Sequence, residues 1–171
     1  QIKAWENKCK NIKFSVKVHR KITHILAMKE EAISVFNDFL ELFSPLDKKI
    51  DFYLFQLSPS FKSDNLERIE KFFSFYKNKS KFAIEFRNQS CFNDAFVKKI
   101  EKIGLVFVSV DSPEIKEFIV KTNETVYLRF HGRTNWYNYN YSAKELIEIS
   151  KKIKKLKKKN IYVYFNNNHN M

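Results

Sequence analysis

Apolar residues recur along this chain with two periods that take turns. In six short runs they fall on every second position: "FSVKV" (14–18), "DFYLFQL" (51–57), "KFAIEFR" (81–87), "LVFVSVD" (105–111), "VYLRFH" (126–131) and "IYVYFNN" (161–167). A period of two marks β-strands, whose side chains point alternately to opposite faces. The intervening segments follow a helical period. Residues 30–43 align Ile33, Phe36, Leu40 and Phe43, and residues 65–76 align Leu66, Ile69, Phe72, Phe73 and Tyr76. Residues 93–103 do the same with Phe96, Val97, Ile100 and Ile103. Asp64 with Glu67 reads as a capping box, Gly104 as a helix-ending glycine, and Ser112-Pro113 as the start of a short helix. Ser142 with Glu145 is a second capping box, opening a helix expected to run to about Lys159.

Strict alternation of strand and helix implies parallel strands joined by crossovers. No linker, repeat or low-complexity segment divides the chain, so one domain over residues 1–171 is expected. The strands are not apolar throughout, as strands covered on both faces usually are. One face carries Val16, Phe55, Ile84, Val108, Leu128 and Val163. The other turns polar towards the strand ends, with Lys17, Gln56, Glu85, Arg87, Asp111, Arg129, His131 and Asn166. Six polar faces under helices would be costly. The pattern therefore predicts an α/β fold of the TIM-barrel-like, parallel (β/α) type, with polar groups inside at the carboxyl ends of the strands. Such a barrel needs eight units, and six are visible.

Composition adds a partner class. The chain has 32 Lys and Arg against 19 Asp and Glu, a net charge of +13. That excess fits anionic ligands or nucleic acid, although a lysine-coated surface gives the same sum. The lysines of residues 151–159 keep helical spacing with Ile149, Ile153 and Leu156, as a solvated helix face would. Cys9 and Cys91 form no metal-binding or redox pair, and a reduced, cytoplasmic protein is expected. No apolar run approaches the roughly 18 residues of a membrane span, so no membrane partner is expected.

The blocks "FSVKVHRKITH", "LFQLSPSF", "FAIEFRNQS", "VSVDSP", "VYLRFHGRTNWYNYNYS" and "YVYFNNN" resemble, in order, those of the domain of unknown function 72 family, the YecE-like proteins. The resemblance runs over nearly all of residues 5–168, and its most specific parts are E-F-R, R-x-H-G-R with Y-x-Y-S, and Y-F-N-N. It implies a TIM-barrel-like fold and no established activity. It also implies two further strands ahead of "FSVK", with a glycine-rich segment and an E-x-N-S/T-F-Y segment that do not occur here. The chain thus reads as a barrel lacking its first two βα units: the parent protein is expected to carry about 50–70 further N-terminal residues, as two such units require, or else a second copy covers the open edge. Where the family shows an acidic residue after the two asparagines, this chain has Asn168.

Glu85 and His131 are the catalytic candidates. Glu85 would act as a general base or anchor a substrate hydroxyl, or else form a salt bridge with Arg129 or Lys17. His131 would shuttle protons, or else serve as an orienting histidine at the strand end. Lys17, Gln56, Arg87, Asp111, Arg129, Arg133 and Asn166 are ligand-binding candidates, the arginines because their planar fork suits carboxylate or phosphate. Trp136, Tyr137, Tyr139 and Tyr141 crowd the loop after the strand, to stack a ring or to pack the loop. Too few inward carboxylates and histidines are present for a metal site, and no cofactor motif occurs. Among the inward groups, cations outnumber carboxylates. The expected partner is an anionic small molecule, perhaps nucleotide-like, with a nucleic-acid-binding module without catalysis as the alternative.

Overall fold

The computed structural model describes residues 2–9, 11–115 and 117–166, which fall into two compact units, residues 1–88 and 89–171. The fold is α/β with six strands, and every strand pairing within a unit is parallel and joins sequence neighbours. The last two asparagines of the terminal block, Asn167 and Asn168, lie outside the described residues.

The first unit contains helix α1 (Ile2–Lys8), strand β1 (Phe14–Lys17), helix α2 (Ala32–Phe43), strand β2 (Ile50–Gln56), helix α3 (Leu66–Ser74) and strand β3 (Phe82–Glu85). Strand β2 lies between the other two. The register aligns Lys17 with Leu54, Leu54 with Ala83, and Gln56 with Glu85, so these side chains share one face. The opposite face carries Tyr53, Phe55, Phe82 and Ile84. It is covered by α2 and α3 through an aromatic core centred on Phe36. That ring is fully buried and meets Phe55 at 4.9 Å, Tyr76 at 5.3 Å, and Phe72 and Phe82 at 5.7 Å. Most of these contacts are edge-on, the geometry that brings a positive ring edge to a negative ring face.

The second unit contains helix α4 (Asp94–Ile103), strand β4 (Val106–Asp111), strand β5 (Thr125–Phe130), helix α5 (Ala143–Lys155) and strand β6 (Asn160–Phe165). Helix α4 is capped by the Asn93 side chain and ends at Gly104 with φ 96°, a left-handed conformation that glycine adopts without a Cβ penalty. The Ser142–Glu145 capping box forms in full at the start of α5. Val126, Leu128 and Phe130 pack beneath Ile149 and Ile153 of α5.

Several local expectations change. Helix α3 has Asn65 at its N-cap without a side-chain cap, because the chain enters through a 3-10 turn at Ser63–Asn65 instead of an Asp64–Glu67 box. No helix forms at Ser112-Pro113; the Ser112 hydroxyl accepts the Ile115 amide and closes a turn. Helix α5 stops at Lys155, short of Lys159, where the chain turns into β6. Helix α1 has no counterpart in the sequence reading, since "IKAWENK" lacks a sustained apolar stripe. The β4 register aligns Val110 with Arg129 and Asp111 with Phe130. Asp111 therefore shares the helix-covered face with Phe130 and does not join Arg129 and His131, as strand-by-strand parity had placed it. Alternation within a strand fixes two faces, but which faces its neighbour's depends on register.

Phe36→Ala is expected to cost about 3–5 kcal/mol, because six aromatic neighbours cannot all collapse into the space left. Urea denaturation of the variant measures the loss.

Candidate functional site

In the first unit the polar strand ends gather around Glu85. Its side chain is fully buried, and Oε1 lies 2.7 Å from Arg87 Nε and accepts from Gln56 Nε2 at 3.0 Å. The Arg87 contact is a close ion pair whose N–H points off the hydrogen-bond line. Arg87 lies two residues after Glu85 and returns to the same side, and its side chain is itself only 11% exposed. Lys17, at the end of β1, lies on the same face and is exposed. Beyond it a single π-helical turn, Lys21–Ile25, carries His24. Such turns are rare and occur often at functional sites. The next residues, Ala27 and Met28, have positive φ of 46° and 61°, a strained backbone for residues with a Cβ. His24 is half-buried, with Nδ1 2.9 Å from the Thr23 hydroxyl. Burial lowers its pKa, and repulsion from Arg20, Lys17 and Arg87 lowers it further. Sequence reading missed Arg20, although Lys17, Arg20 and His24 place a basic side chain every three to four residues after a strand.

In the second unit the inner face of β5 and β6 carries Tyr127, Arg129, His131, Tyr162, Tyr164 and Asn166. The register pairs Tyr127 with Tyr162 and Arg129 with Tyr164. Tyr127 stacks on Tyr164 with ring centroids 5.0 Å apart. His131 is fully buried, and its Nδ1 is 3.2 Å from Asn166 Nδ2. With the Asn166 amide as donor, Nδ1 accepts and the imidazole proton resides on Nε2. Trp136 and Tyr137 close on the same ring at 5.6 and 5.8 Å.

Arg133 leaves this face. Gly132 takes φ +97°, and a Cβ there would lie 2.3 Å from the Asn135 carbonyl oxygen. The turn carries Arg133 to the helix-covered side, where three carboxylates take up its fork. Nε donates to Asp111 at 2.8 Å, Nη2 to Glu117 at 2.7 Å and Nη1 to Glu145 at 2.9 Å. Burial alone would lower the pKa of Arg133; the hydrogen bond to Asp111 and the charges of Asp111, Glu145 and Glu117 raise it well above its usual value. Glu145 also accepts from the Tyr139 hydroxyl at 2.7 Å and from the Ser142 amide and hydroxyl at 2.8 Å. These bonds, Tyr139 first, hold its carboxyl down at about 2. A cavity of about 260 Å³ opens beside the cluster, lined by Asp111, Ser112, Glu117 and Arg133. Sequence reading saw Glu145 only as a cap and missed Glu117, because a residue alone in a loop carries no periodic signal.

Among the described residues no group of three or more His, Cys, Asp and Glu is arranged to hold a metal ion, and no helix is long and apolar enough to cross a membrane.

These features define a parallel α/β protein that collects charged and amide side chains at the carboxyl ends of its strands. The chain belongs to the family described as "Protein of unknown function DUF72", whose profile matches residues 1–171. It is similar to the crystal structure of a DUF72 family protein from Enterococcus faecalis V583, with a TM-score of 0.79 and 28% identity, over 99% of this chain and 77% of that one. It is also similar to a DUF72 family protein from Thermotoga maritima MSB8, with a TM-score of 0.71 and 28% identity, over 92% of this chain and 67% of that one. No curated protein matches the sequence.

Glu85→Ala is expected to destabilise the protein by about 3–5 kcal/mol, since it removes the carboxylate that the buried Arg87 guanidinium faces; chemical denaturation reads the change. Glu145 sets an acid limit. Its folded pKa is below the unfolded one, so its contribution is complete above the unfolded value of 4.5 and is lost as pH falls towards about 2. A melting curve followed from pH 5 to pH 2 should fall less steeply in Glu145→Gln than in the parent.

Proposed function

We propose that this DUF72 protein binds a small anionic ligand, bearing phosphate or carboxylate, at the strand ends of its first unit. The observation that carries the reading is the set of three cations, Lys17, Arg20 and Arg87, whose charges all act on the half-buried His24. Opposed to them on that face is Glu85, already balanced by Arg87. An anion placed among them would relieve their mutual repulsion, and Arg87 and Arg20 offer the planar donors that phosphate and carboxylate fit. Gln56 and Glu85 would orient a hydroxyl of the same ligand. The frame, in this reading, is part of a TIM-type (β/α) barrel, supported by consecutive parallel βα units with polar groups at the strand ends. Glu85 and His131 remain the residues to examine for catalysis.

Two observations weigh against nucleic acid as the main partner. Arg133 is engaged by three carboxylates, and within the lysine run Lys152 pairs with Glu117 while Lys158 donates to the Ile153 carbonyl at 2.6 Å. The charges of Arg133 and Lys152 are thus already partnered by carboxylates.

The test follows the His24 imidazole by NMR. In the free protein its pKa lies below the ordinary histidine value, and inorganic phosphate or a phosphorylated sugar should raise it, since a bound anion favours the imidazolium. Arg20→Ala should raise it without ligand and weaken the response to phosphate. A His24 pKa indifferent to millimolar phosphate, together with a melting temperature unmoved by a panel of phosphorylated and carboxylated metabolites, would overturn the reading.

A further inference from the structure

Thr23 places a buried hydroxyl inside the π-helical turn that carries His24. The residue is 1% exposed, and its Oγ1 lies 2.9 Å from Nδ1 of His24. Among the described residues that hydroxyl makes no other hydrogen bond. A buried hydroxyl needs an acceptor for its proton. Were Nδ1 the donor of this pair, the hydroxyl proton would be left unpaired where water does not reach, at the cost of its full desolvation. The hydroxyl therefore donates, Nδ1 accepts, and the imidazole proton resides on Nε2. With Nδ1 taken, the ring meets a ligand only through Nε2–H.

The surrounding turn holds this pair in place. Ile22, just before Thr23, is fully buried, and so is Met28 at the exit of the turn. The Leu26 amide donates to the Lys21 carbonyl at 2.8 Å, and the Met28 amide donates to the Ile22 carbonyl at 3.1 Å. The positive φ of Ala27 and Met28 lies in this same return of the chain. A backbone so strained persists where packing over-determines it, and such positions cluster at ligand clamps and active sites. Burial, and then the charges of Arg20, Lys17 and Arg87, favour the neutral ring.

We propose that His24 contacts the bound anion directly, donating from Nε2 to one of its oxygens, and that Thr23 positions the ring by holding Nδ1. This rests on the anion reading of the first-unit strand ends. The groups around the charged end of the ligand are then all donors: Lys17, Arg20, Arg87 and His24 Nε2. Such a lining takes an ionised oxyanion, a phosphate monoester or a carboxylate, and has no acceptor for the proton of an un-ionised acid. A hydroxyl can also accept. When a bound anion draws a second proton onto the ring, Thr23 turns and accepts from Nδ1–H. Valine has the same shape and can do neither.

Proton–nitrogen NMR correlation spectra of the imidazole rings tell a protonated ring nitrogen from a bare one, and they test this on the free protein above the His24 pKa. The His24 proton should sit on Nε2. Thr23→Val should lose the fixed tautomer and populate Nδ1–H, and Thr23→Ser, which keeps the hydroxyl, should restore it. Titration with inorganic phosphate, followed on the same ring, should show binding weakened about fivefold in Thr23→Val, as loss of one hydrogen bond implies, and near the parent value in Thr23→Ser. Circular dichroism checks that the variants fold, and the tautomer of the parent ring decides the case even where Thr23→Val does not. A parent ring protonated on Nδ1, a tautomer that Thr23→Val leaves unchanged, or equal phosphate affinity in the parent and Thr23→Val would overturn the role of Thr23. A ring with the expected tautomer that ignores phosphate would overturn the anion reading instead, and the contact from Nε2 with it.

Discussion

Everything distinctive in this protein follows from the two-residue period of its parallel strands. A strand whose alternate side chains are apolar has one face that must be covered, and helices cover it. In the first unit that face is Tyr53, Phe55, Phe82 and Ile84, sealed by aromatic side chains from α2 and α3. In the second it is Val126, Leu128 and Phe130, sealed by Ile149 and Ile153. The same period sends Lys17, Gln56 and Glu85 to the other side in one unit, and Arg129, His131 and Asn166 in the other. Core and candidate site thus share one cause.

Burying charge on these strands raises an electrostatic problem that the two units answer differently. In the first, Glu85 is balanced by Arg87 and Gln56, and further cations collect around His24. The surplus is positive and adds to burial in lowering the basicity of His24. In the second, Arg133 faces Asp111, Glu117 and Glu145 at once, and the surplus is negative. A guanidinium with three carboxylates is held in one orientation by its fork, and Glu145 ties the same cluster to the α5 capping box. Arg133 therefore joins the end of β4 to the start of α5 and fixes how the helix lies on the sheet. Membership of the DUF72 family brings no assigned chemistry, so the anion reading rests on the cations of the first unit alone.

Gly132 decides which residues belong together at the end of β5. By simple alternation Arg129, His131 and Arg133 would all point inward. The left-handed φ of Gly132 and the Asn135 carbonyl packed against it turn the chain, and Arg133 leaves the inner face. His131 stays, held by Asn166 and walled by Trp136 and Tyr137. A three-residue basic pattern in the sequence becomes two structures with different neighbours.

The six strands, their parallel order, most of the helices and the capping of α4 and α5 were legible in the sequence. Each depends on residues within a turn or two of one another, and local periodicity records them. The grouping of Gln56 with Glu85, and of His131 with Asn166, was legible as shared strand-end parity. What the tertiary structure alone decided was register and reach. The pairing of Asp111 with Phe130 moved that carboxylate to the helix side, and long side chains from a loop and a helix then met it as Arg133, Glu117 and Glu145. Likewise, an apolar alternation in "IYVYF" reads the same whether its outer face is sealed or open. The structure seals Val126, Leu128 and Phe130 under α5 and leaves Ile161, Val163 and Phe165 exposed, because cover is a property of a neighbouring element and not of the strand that needs it.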